Sequence, residues 1–254
     1  MTSITYITVT YNAASVLKPT LDSVVCQTHR QIEHIIVDGA SKDDTLALAQ
    51  QYKADSEAKD NGHTVMILSE LDKGIYDAMQ KGINLATGRY ICFLNAGDRL
   101  PNAKTAAQVA ALGDEKVGVI YGDTDIVDQQ GQFLRHRRLS APERLSWRSF
   151  RQGMLVCHQA FYALTDLARQ TPYNLDYRYS ADVDWCIRVM KEAERRGLQL
   201  KKVDGVVANY LDGGTTNQNH RASLKERFRV MRTHYGLATT IFMHLWFVVR
   251  SIFK

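Results

Sequence analysis

Four clusters of polar residues in the first hundred residues carry side chains that could do chemistry. They are Thr10–Asn12, Asp38–Ser41, Glu70–Gly74 and Asn95–Asp98. The carboxylate of Asp38 can accept two hydrogen bonds from a base or a ribose. Asp98, next to Gly97, suits Mg²⁺ or Mn²⁺, ions that bind through one or two carboxylates together with substrate phosphates. Each cluster alone is typical of an ordinary turn. Whether the clusters form a binding site therefore depends on whether the fold brings them together.

The elements between the clusters predict that position. Apolar segments predict strands at Ile4–Thr10, His34–Val37, Val65–Leu68 and Tyr90–Leu94. Helical spacing predicts helices at Val16–Cys26, Thr45–Tyr52 and Ile75–Ala86. Alternation of strand and helix predicts an α/β fold with a mostly parallel sheet. Right-handed crossovers bring the carboxyl ends of such strands to one edge, where we expect the four clusters to meet.

The pattern after residue 100 is less regular. It predicts strands at Val119–Tyr121, Asp125–Val127 and Val206–Tyr210, with Gln132–Arg138 pairing alongside, and an amphipathic helix at Trp185–Arg196. The chain has neither a GxGxxG nor a GxxxxGK[ST] motif. The usual nicotinamide and P-loop sites are therefore not predicted. At the first turn, the ring of Tyr11 could stack on a base or simply pack against the protein.

Five short motifs stand in order within residues 4–98. They are Ile7–Asn12, Val37–Thr45, Ser69–Met79, Ala86–Tyr90 and Phe93–Asp98. Looser matches follow at Cys157–Ala160, Ser180–Trp185 and Gly213–Asn217. Together they resemble family 2 glycosyltransferases, and in particular bacterial exopolysaccharide and O-antigen enzymes of colanic-acid type. The resemblance implies a GT-A fold, with a Rossmann-like, mostly parallel sheet flanked by helices, and inverting transfer from a UDP- or GDP-sugar.

The resemblance also assigns the donor side of the site. By analogy, the nucleoside is held by Thr10, Tyr11, Asn12 and Asp38. Asp72 and Lys73 lie near the ribose and diphosphate, and Asp98 holds Mn²⁺ or Mg²⁺. Asn95 stands where the family usually has an acidic residue, which leaves one carboxylate fewer for the metal.

A second set of residues is implied for the acceptor side. Inverting transfer needs a base for the acceptor hydroxyl, and Asp182 occupies the catalytic Asp position, with Asp184 as the second choice. His158 could touch the acceptor or the diphosphate, and Trp185 could stack on a sugar. Structural roles stay open: Asp182 could cap a helix, and His158 and Trp185 could belong to the core.

Charge is divided unevenly along the chain. The net charge is +5, but residues 1–132 carry −6 and residues 133–254 carry +11. A basic half suits a phosphate-bearing partner or an anionic membrane surface. Without a known nucleic-acid-binding motif, the sequence does not predict a nucleic-acid partner. Residues 233–249 contain no Asp, Glu, Lys or Arg. This tail predicts an interfacial helix, or a helix that packs on the protein itself or on a second subunit in a homo-oligomer.

These features predict a GT-A domain at 1–220, with a nucleotide-sugar half at 1–100 and an acceptor half at 101–220. Residues 221–254 form a basic and apolar helical tail. The expected reaction adds a sugar to a lipid-linked oligosaccharide in bacterial surface polysaccharide synthesis. The N-terminus predicts no signal peptide, so we expect a cytoplasmic protein, peripheral on the inner face of the membrane. A catalytically inactive nucleotide-sugar-binding module or scaffold is the alternative.

Overall fold

The computed structural model describes residues 2–213 and 220–252. Its strands are β1 (Ile4–Thr10), β2 (Ile32–Asp38), β3 (Thr64–Ser69), β4 (Tyr90–Phe93), β5 (Val117–Val127), β6 (Phe133–His136), β7 (Phe161–Leu164) and β8 (Gln199–Leu211). Its α-helices are α1 (Ala14–Val25), α2 (Thr45–Ala58), α3 (Ile75–Leu85), α4 (Thr105–Ala111), α5 (Thr165–Gln170), α6 (Ala181–Arg195), α7 (His220–Tyr235) and α8 (Leu237–Ile252).

All eight strands form one sheet. Its order is β3-β2-β1-β4-β7-β5-β6, and β8 also pairs with β5. The pairs among β1 to β4 and the β5–β8 pair are parallel, whereas β7 is antiparallel to both β4 and β5, and β6 is antiparallel to β5. The predicted α/β fold, a mostly parallel sheet flanked by helices with C-terminal helices appended, is confirmed.

Strand register places the first clusters at one edge. Thr10 of β1 pairs with Asp38 of β2, and Asp38 pairs with Ser69 of β3. The three parallel strands therefore end level with one another. Every residue of β1 is buried, as expected for a parallel strand with both faces covered by helices.

The second half differs from the sequence prediction in several elements. The strands predicted at Val119–Tyr121 and Asp125–Val127 belong to one continuous strand, β5. This strand passes through Gly122, where its register against β8 shifts. The strand β7 and the helices α4 and α5 were not predicted, and each has seven residues or fewer. The helix predicted from Trp185 begins at Ala181 as α6. Asp182 therefore lies in the first turn of that helix.

The last two helices, α7 and α8, pack against each other and are joined at Gly236. The φ of Gly236 is 79°, in the left-handed region that glycine tolerates. The α7 helix packs on α6, and Tyr235 at its end stacks on Trp147 with 5.7 Å between ring centres. Within the described residues, no helix combines the length and apolarity needed to cross a bilayer. Residues 214–217 of the predicted Gly213–Asn217 motif lie outside the described residues. The same holds for residues 253 and 254 of the tail.

Candidate functional site

A cavity of about 720 Å³ opens at the carboxyl ends of the parallel strands. Seven residues predicted from the sequence line it: Thr10, Tyr11, Asp72, Asn95, Asp98, His158 and Asp182. They come from both halves of the chain. The sheet and α6 thus bring together side chains that are up to 172 positions apart in sequence, as the number difference between Thr10 and Asp182 shows.

One corner of the cavity is lined by Tyr11 and Asp72, both of which lie close to Gly39. The ring of Tyr11 is 63% exposed, so one of its faces is available to a planar ligand. A β-carbon on Gly39 would lie 2.5 Å from Asp72 Oδ2 and 3.4 Å from Tyr11 Cδ2. Only a residue without a side chain allows this close approach. Asp72 is itself held by the Gly74 N–H, which donates to Oδ1 at 2.8 Å.

Asp38 supports this corner from beneath and does not line the cavity. It has no exposed surface, and its carboxylate accepts hydrogen bonds from Thr10 Oγ1, from the Ser41 amide and hydroxyl, and from Ser69 Oγ. The expected direct contact between Asp38 and a nucleoside is therefore corrected. Its oxygens are occupied by four donors of the protein, and it fixes Thr10 and the turn that contains Gly39.

Asn12 and Lys73 also lie away from the cavity wall. Asn12 Oδ1 accepts the Lys42 N–H at 2.9 Å, and its own N–H donates to Ser41 Oγ at 2.8 Å. Asn12 thus joins the loop after β1 to the loop after β2, in a left-handed conformation with φ of 48°. Lys73 is exposed, and its backbone N–H donates to Asp77. Neither residue lines the cavity, and the expected direct donor contacts of Asn12 and Lys73 stay predictions.

Asp98 lies at the centre of the wall that follows β4. Its carboxylate accepts the Leu211 N–H at 3.0 Å and Gln159 Nε2 at 2.8 Å. Burial raises the pKa of Asp98 to about 6, although these two hydrogen bonds and the charge of His158 act in the opposite direction. An anionic Asp98 is therefore short of positive charge, which is the condition that a bound cation relieves.

Asn95, His158 and Asp182 form a connected chain across the cavity. Asn95 Nδ2 lies 3.1 Å from His158 Nε2, and His158 Nδ1 lies 3.3 Å from Asp182 Oδ2. When the Asn95 amide donates, Nε2 is the acceptor, so the ring proton sits on Nδ1 and points to Asp182. The ring of His158 thus connects the wall after β4 to the first turn of α6.

The surroundings of Asp182 keep it ionised. Burial alone would raise the pKa of Asp182, but the hydrogen bond and charge of His158 and the charge of Arg227 outweigh it, and the pKa is lowered. Tyr76 donates its hydroxyl proton to Asp182 Oδ1 at 3.2 Å. The result is a carboxylate that faces the cavity and is available as a proton acceptor at neutral pH.

The donor groups near Asp98 fit a divalent cation of the Mg²⁺ or Mn²⁺ type. Asn95 Oδ1 is buried and has no hydrogen-bond partner among the described residues. Oxygen ligands from one carboxylate and one amide, completed by phosphate oxygens and water, are what such ions take. In the described part of the chain, no group of three His, Cys, Asp or Glu side chains could hold a metal by itself. An ion here would therefore depend on a phosphate-bearing ligand.

Two predicted acceptor-side residues face away from the cavity. Asp184 accepts hydrogen bonds from Arg188 Nε and His234 Nε2, both at 2.7 Å, which tie α6 to itself and to α7. Trp185 is fully buried and stacks on Tyr173 with 5.3 Å between ring centres. Asp184 as second choice of base and Trp185 as a sugar-stacking residue are therefore wrong for this geometry. On α6, the residue that faces the cavity is Asp182.

Several lining residues were not predicted from the sequence. Gln159, inside a quoted motif, orients Asp98. Three more come from α7 and the segment before α6, namely Arg178, Ser223 and Arg227. The spacing of Ser223 and Arg227 at i and i+4 places them on one face of α7. That periodicity was visible in the sequence, but nothing local indicated which element the face would meet.

Comparisons with known proteins agree with this architecture. The family model for glycosyl transferase family 2 matches residues 5–169. A PGL/p-HBAD biosynthesis glycosyltransferase of Mycobacterium bovis is 37% identical over 212 residues, which are 82% of this chain and 77% of that protein. An uncharacterized glycosyltransferase of Mycobacterium tuberculosis is 32% identical over 191 residues, 73% of this chain and 68% of that protein.

Solved structures share the fold at low sequence identity. The S. aureus TarS fragment 1–349 in complex with UDP-GlcNAc has a TM-score of 0.70 and 16% identity, covering 91% of this chain. This chain spans 65% of that one, slightly less than two thirds. The mannosyltransferase PcManGT from Pyrobaculum calidifontis, in complex with GDP-Man and Mn²⁺, has a TM-score of 0.62 and 19% identity, covering 95% of this chain and 70% of that chain. With its sheet, its family-model match and its relatives in agreement, the chain belongs to glycosyltransferase family 2 and has the GT-A fold.

Proposed function

We propose that this glycosyltransferase moves one sugar from a UDP- or GDP-sugar to an acceptor hydroxyl with inversion at the anomeric carbon. The observation that carries the proposal is one cavity with two carboxylates in different environments. Burial raises the pKa of Asp98 to about 6, whereas His158 and Arg227 overcome the effect of burial and lower the pKa of Asp182. Carboxylates tuned apart within one site typically have different roles.

Asp182 acts as the base in this proposal. It takes the proton of the acceptor hydroxyl as the hydroxyl oxygen bonds to the anomeric carbon and the nucleoside diphosphate leaves. The Nδ1–H of His158 and the hydroxyl of Tyr76 hold Asp182 in position. A divalent ion bound by Asp98 and Asn95 would stabilise the negative charge of the departing diphosphate. Arg178 and Arg227 add positive charge to the same cavity.

The donor occupies the corner of Tyr11 and Asp72. The exposed ring of Tyr11 stacks on the base, and Asp72 accepts hydrogen bonds from the ribose. Asp38 acts indirectly, by holding Thr10 and the Gly39 turn. TarS was solved with UDP-GlcNAc and PcManGT with GDP-Man, and we therefore propose a nucleotide-sugar donor of either class.

We propose that the acceptor is a lipid-linked saccharide and that the protein works at the inner face of the cytoplasmic membrane, in the synthesis of a bacterial surface polysaccharide. The support is the C-terminal pair of helices. Exposed cations lie on α7 beside the cavity wall, and exposed apolar side chains lie on α8. A surface with exposed cations and apolar side chains would suit a lipid-linked acceptor.

Thermal unfolding with nucleotides tests the donor site. Purified protein is heated with UDP, GDP or AMP, each with and without Mn²⁺. We expect one diphosphate to raise the Tm, and Mn²⁺ to increase that shift. A ligand at a hundredfold excess over its Kd stabilises the native state by about 2.7 kcal/mol. Asp98→Asn should abolish the Mn²⁺-dependent part, and the exposed Asp176→Asn should not. Equal shifts for both variants would contradict the role of Asp98.

Product analysis tests the chemistry. With a UDP- or GDP-sugar, we expect slow release of the nucleoside diphosphate to water and faster release when an acceptor is supplied. Asp182→Asn should lower this rate at least about a hundredfold, the usual size of a lost general base, while the nucleotide-induced Tm shift persists. Nucleotide binding without any turnover in the unsubstituted protein would instead support the inactive binding module.

A further inference from the structure

The carboxylate of Glu226 on α7 lies against the backbone just before α6. Its Oε1 accepts the N–H of Arg178 at 2.8 Å, and its Oε2 accepts the N–H groups of Tyr179 and Ser180, both at 2.6 Å. The side chain comes from an element 46 to 48 positions further along the chain, and Glu226 is 7% exposed. A buried carboxylate with three consecutive backbone donors is a strong, charge-assisted anchor.

This contact fixes the segment that leads into α6, a helix without a local side-chain cap. Ser180 is the N-cap residue, yet its side chain makes no capping hydrogen bond, and within the described residues its hydroxyl has no partner. The first N–H groups of a helix otherwise remain unpaired, and negative charge at that end is favourable. Glu226 accepts one of these groups, the N–H of Ser180, two residues before Asp182, and brings negative charge to that end of the helix.

We propose that Glu226 is a positioning residue for transfer, an inference that rests on the proposed role of Asp182 as base. By holding residues 178–180, Glu226 sets the direction in which the first turn of α6 presents Asp182 to His158 and the cavity. Displacement of a reacting group by about 1 Å can cost two orders of magnitude in rate. A loosened segment would therefore slow transfer even though every catalytic side chain is still present.

The rest of α7 keeps Glu226 in place. At the far end of the helix, His234 donates to Asp184 Oδ1 at 2.7 Å, and Lys191 donates to His234 Nδ1 at 3.1 Å. Val230, which lies between Glu226 and His234 in the sequence of α7, is buried. With α7 fixed on α6 in this way, Glu226 cannot drift with its own helix, and its three hydrogen bonds act on the segment before Asp182.

The nucleoside corner lies on other elements than this anchor, whereas Arg178 and Tyr179 of the anchored segment line the cavity. Tyr11, Asp72 and Asp98 belong to the loops after β1, β3 and β4, and none of them contacts Glu226 by a hydrogen bond or ion pair in the described chain. Loss of Glu226 is therefore expected to lower kcat without changing donor affinity. A general loss of folding would change both.

Glu192→Gln is a matched control. Glu192 lies on α6, the helix that carries Asp182, and like Glu226 it accepts three hydrogen bonds, here from Arg195 Nε and Nη2 and from Arg196 Nε. It lies ten positions after Asp182, about 15 Å along the helix at 1.5 Å per residue. The same chemical change is thus made on the helix that carries the proposed base, but far from that base.

The experiment compares Glu226→Gln, Glu192→Gln and Asp182→Asn by kcat, donor KM, UDP or GDP affinity and Tm. We expect Glu226→Gln to lower kcat by about ten- to a hundredfold, with donor KM and nucleotide affinity within about twofold of the unsubstituted protein, and Glu192→Gln to leave kcat within about twofold. An unchanged kcat in Glu226→Gln, or equal losses in Glu226→Gln and Glu192→Gln, would overturn the inference.

Two further arms separate the possible failures. If Asp182→Asn retains its kcat, the proposed function fails, whatever Glu226 does. If Glu226→Gln does not fold, Glu226→Asp keeps the charge but is one methylene too short to reach all three N–H groups. Amide hydrogen exchange of residues 178–184 in that variant should then accelerate along with the loss of kcat. Protection equal to that of the unsubstituted protein, combined with lost activity, would refute the positioning role.

Discussion

His158 is the residue that couples the two chemical centres of the cavity. One ring nitrogen faces Asn95 and the other faces Asp182, and the charge of His158 also acts on Asp98. A side chain that contacts both walls affects the reaction through proton affinity as well as through geometry. Its removal should therefore have a signature in pH dependence that simple loss of packing would lack.

We predict that His158→Ala moves the acid limb of the kcat profile to higher pH. The pKa of Asp182 is lowered because His158 and Arg227 outweigh burial. Without His158, the effect of burial is opposed less strongly, so the pKa of Asp182 rises. Asp182 then becomes protonated, and inactive as a base, at a higher pH. We also expect kcat at neutral pH to fall about tenfold or more. Initial rates at saturating donor, from about pH 5 to about pH 8, would test this.

His136→Ala provides the control for that measurement. His136 pairs with Asp125 at 2.8 Å, but its side chain is 82% exposed on the edge strand β6. Its loss should leave the acid limb in place. Coincident pH profiles for His158→Ala and the unsubstituted protein would show that His158 does not influence the base.

At the scale of elements, the parallel half of the sheet was predictable, whereas the acceptor wall was not. Strands β1 to β4 are short apolar segments with turns after them, so the sequence pattern located them within a few residues. The start of α6 was missed because the contact that holds the segment before it comes from Glu226, more than 40 positions away, whereas Ser180 at the N-cap makes no capping hydrogen bond. The strand β5 was split in two because Gly122 and Asp123 interrupt its apolar run, although its pairing with β8 continues.

The same contrast holds for the site. Asp98, His158 and Asp182 lie in motifs, so their place at the cavity could be predicted. The burial of Trp185 could not, because it depends on Tyr173 and Phe93 arriving from other elements. The contacts of Asp38 likewise depend on Ser69, which only the register of β2 with β3 brings into reach.

A buried histidine joins β1, β2 and α2. His34 Nε2 lies 2.9 Å from Thr8 Oγ1, and Nδ1 lies 2.8 Å from Tyr52 Oη. Thr8 already donates to the Leu94 carbonyl, so Nε2 carries the proton and Nδ1 accepts from Tyr52. This network needs a neutral ring. Burial, with a smaller effect from the charge of His63, lowers the pKa of His34 to about 3.

We predict that this network makes the fold sensitive to acid. Below pH 6.5, the unfolded chain protonates His34 while the folded chain does not, so the free energy of unfolding falls as the pH falls towards 3. The contribution is about 1 kcal/mol between pH 7 and pH 5.5. Urea unfolding at both values should show a smaller decrease for His34→Gln than for the unsubstituted protein. Equal decreases would contradict a neutral buried His34.

At the scale of the whole molecule, the surface is asymmetric. The α8 helix exposes Phe242 and Trp246, which are one turn apart, and α7 exposes Lys225, Arg229 and Arg232. An apolar helix face beside cations would suit the surface of a bilayer of anionic lipids, and in that arrangement Trp246 would lie at headgroup depth. A second copy of the chain could cover the same face, so the measurement must distinguish lipid from protein.

We predict that the protein sediments with vesicles containing anionic lipid, and much less with neutral vesicles. Replacing both Phe242 and Trp246 by Ser should lower the bound fraction at least about fivefold, because each aromatic side chain contributes one to a few kcal/mol of burial. Phe133→Ser, at a comparably exposed position on β6, is the control. A stable dimer in light scattering, without vesicle binding, would assign the α8 face to a second subunit instead.

The anchoring of α6 by Glu226 also has a consequence in time. A chain is synthesised from its N-terminus, and its parts tend to fold as they are completed. The strands β1 to β4 are complete by Phe93 and Asp182 has been added long before Glu226, which is 44 positions later in the sequence. A nascent chain can therefore complete the strands that lead to Tyr11 and Asp72 early, yet the proposed base is aligned only after α7 has been made. Catalysis would begin only after that helix has packed on α6.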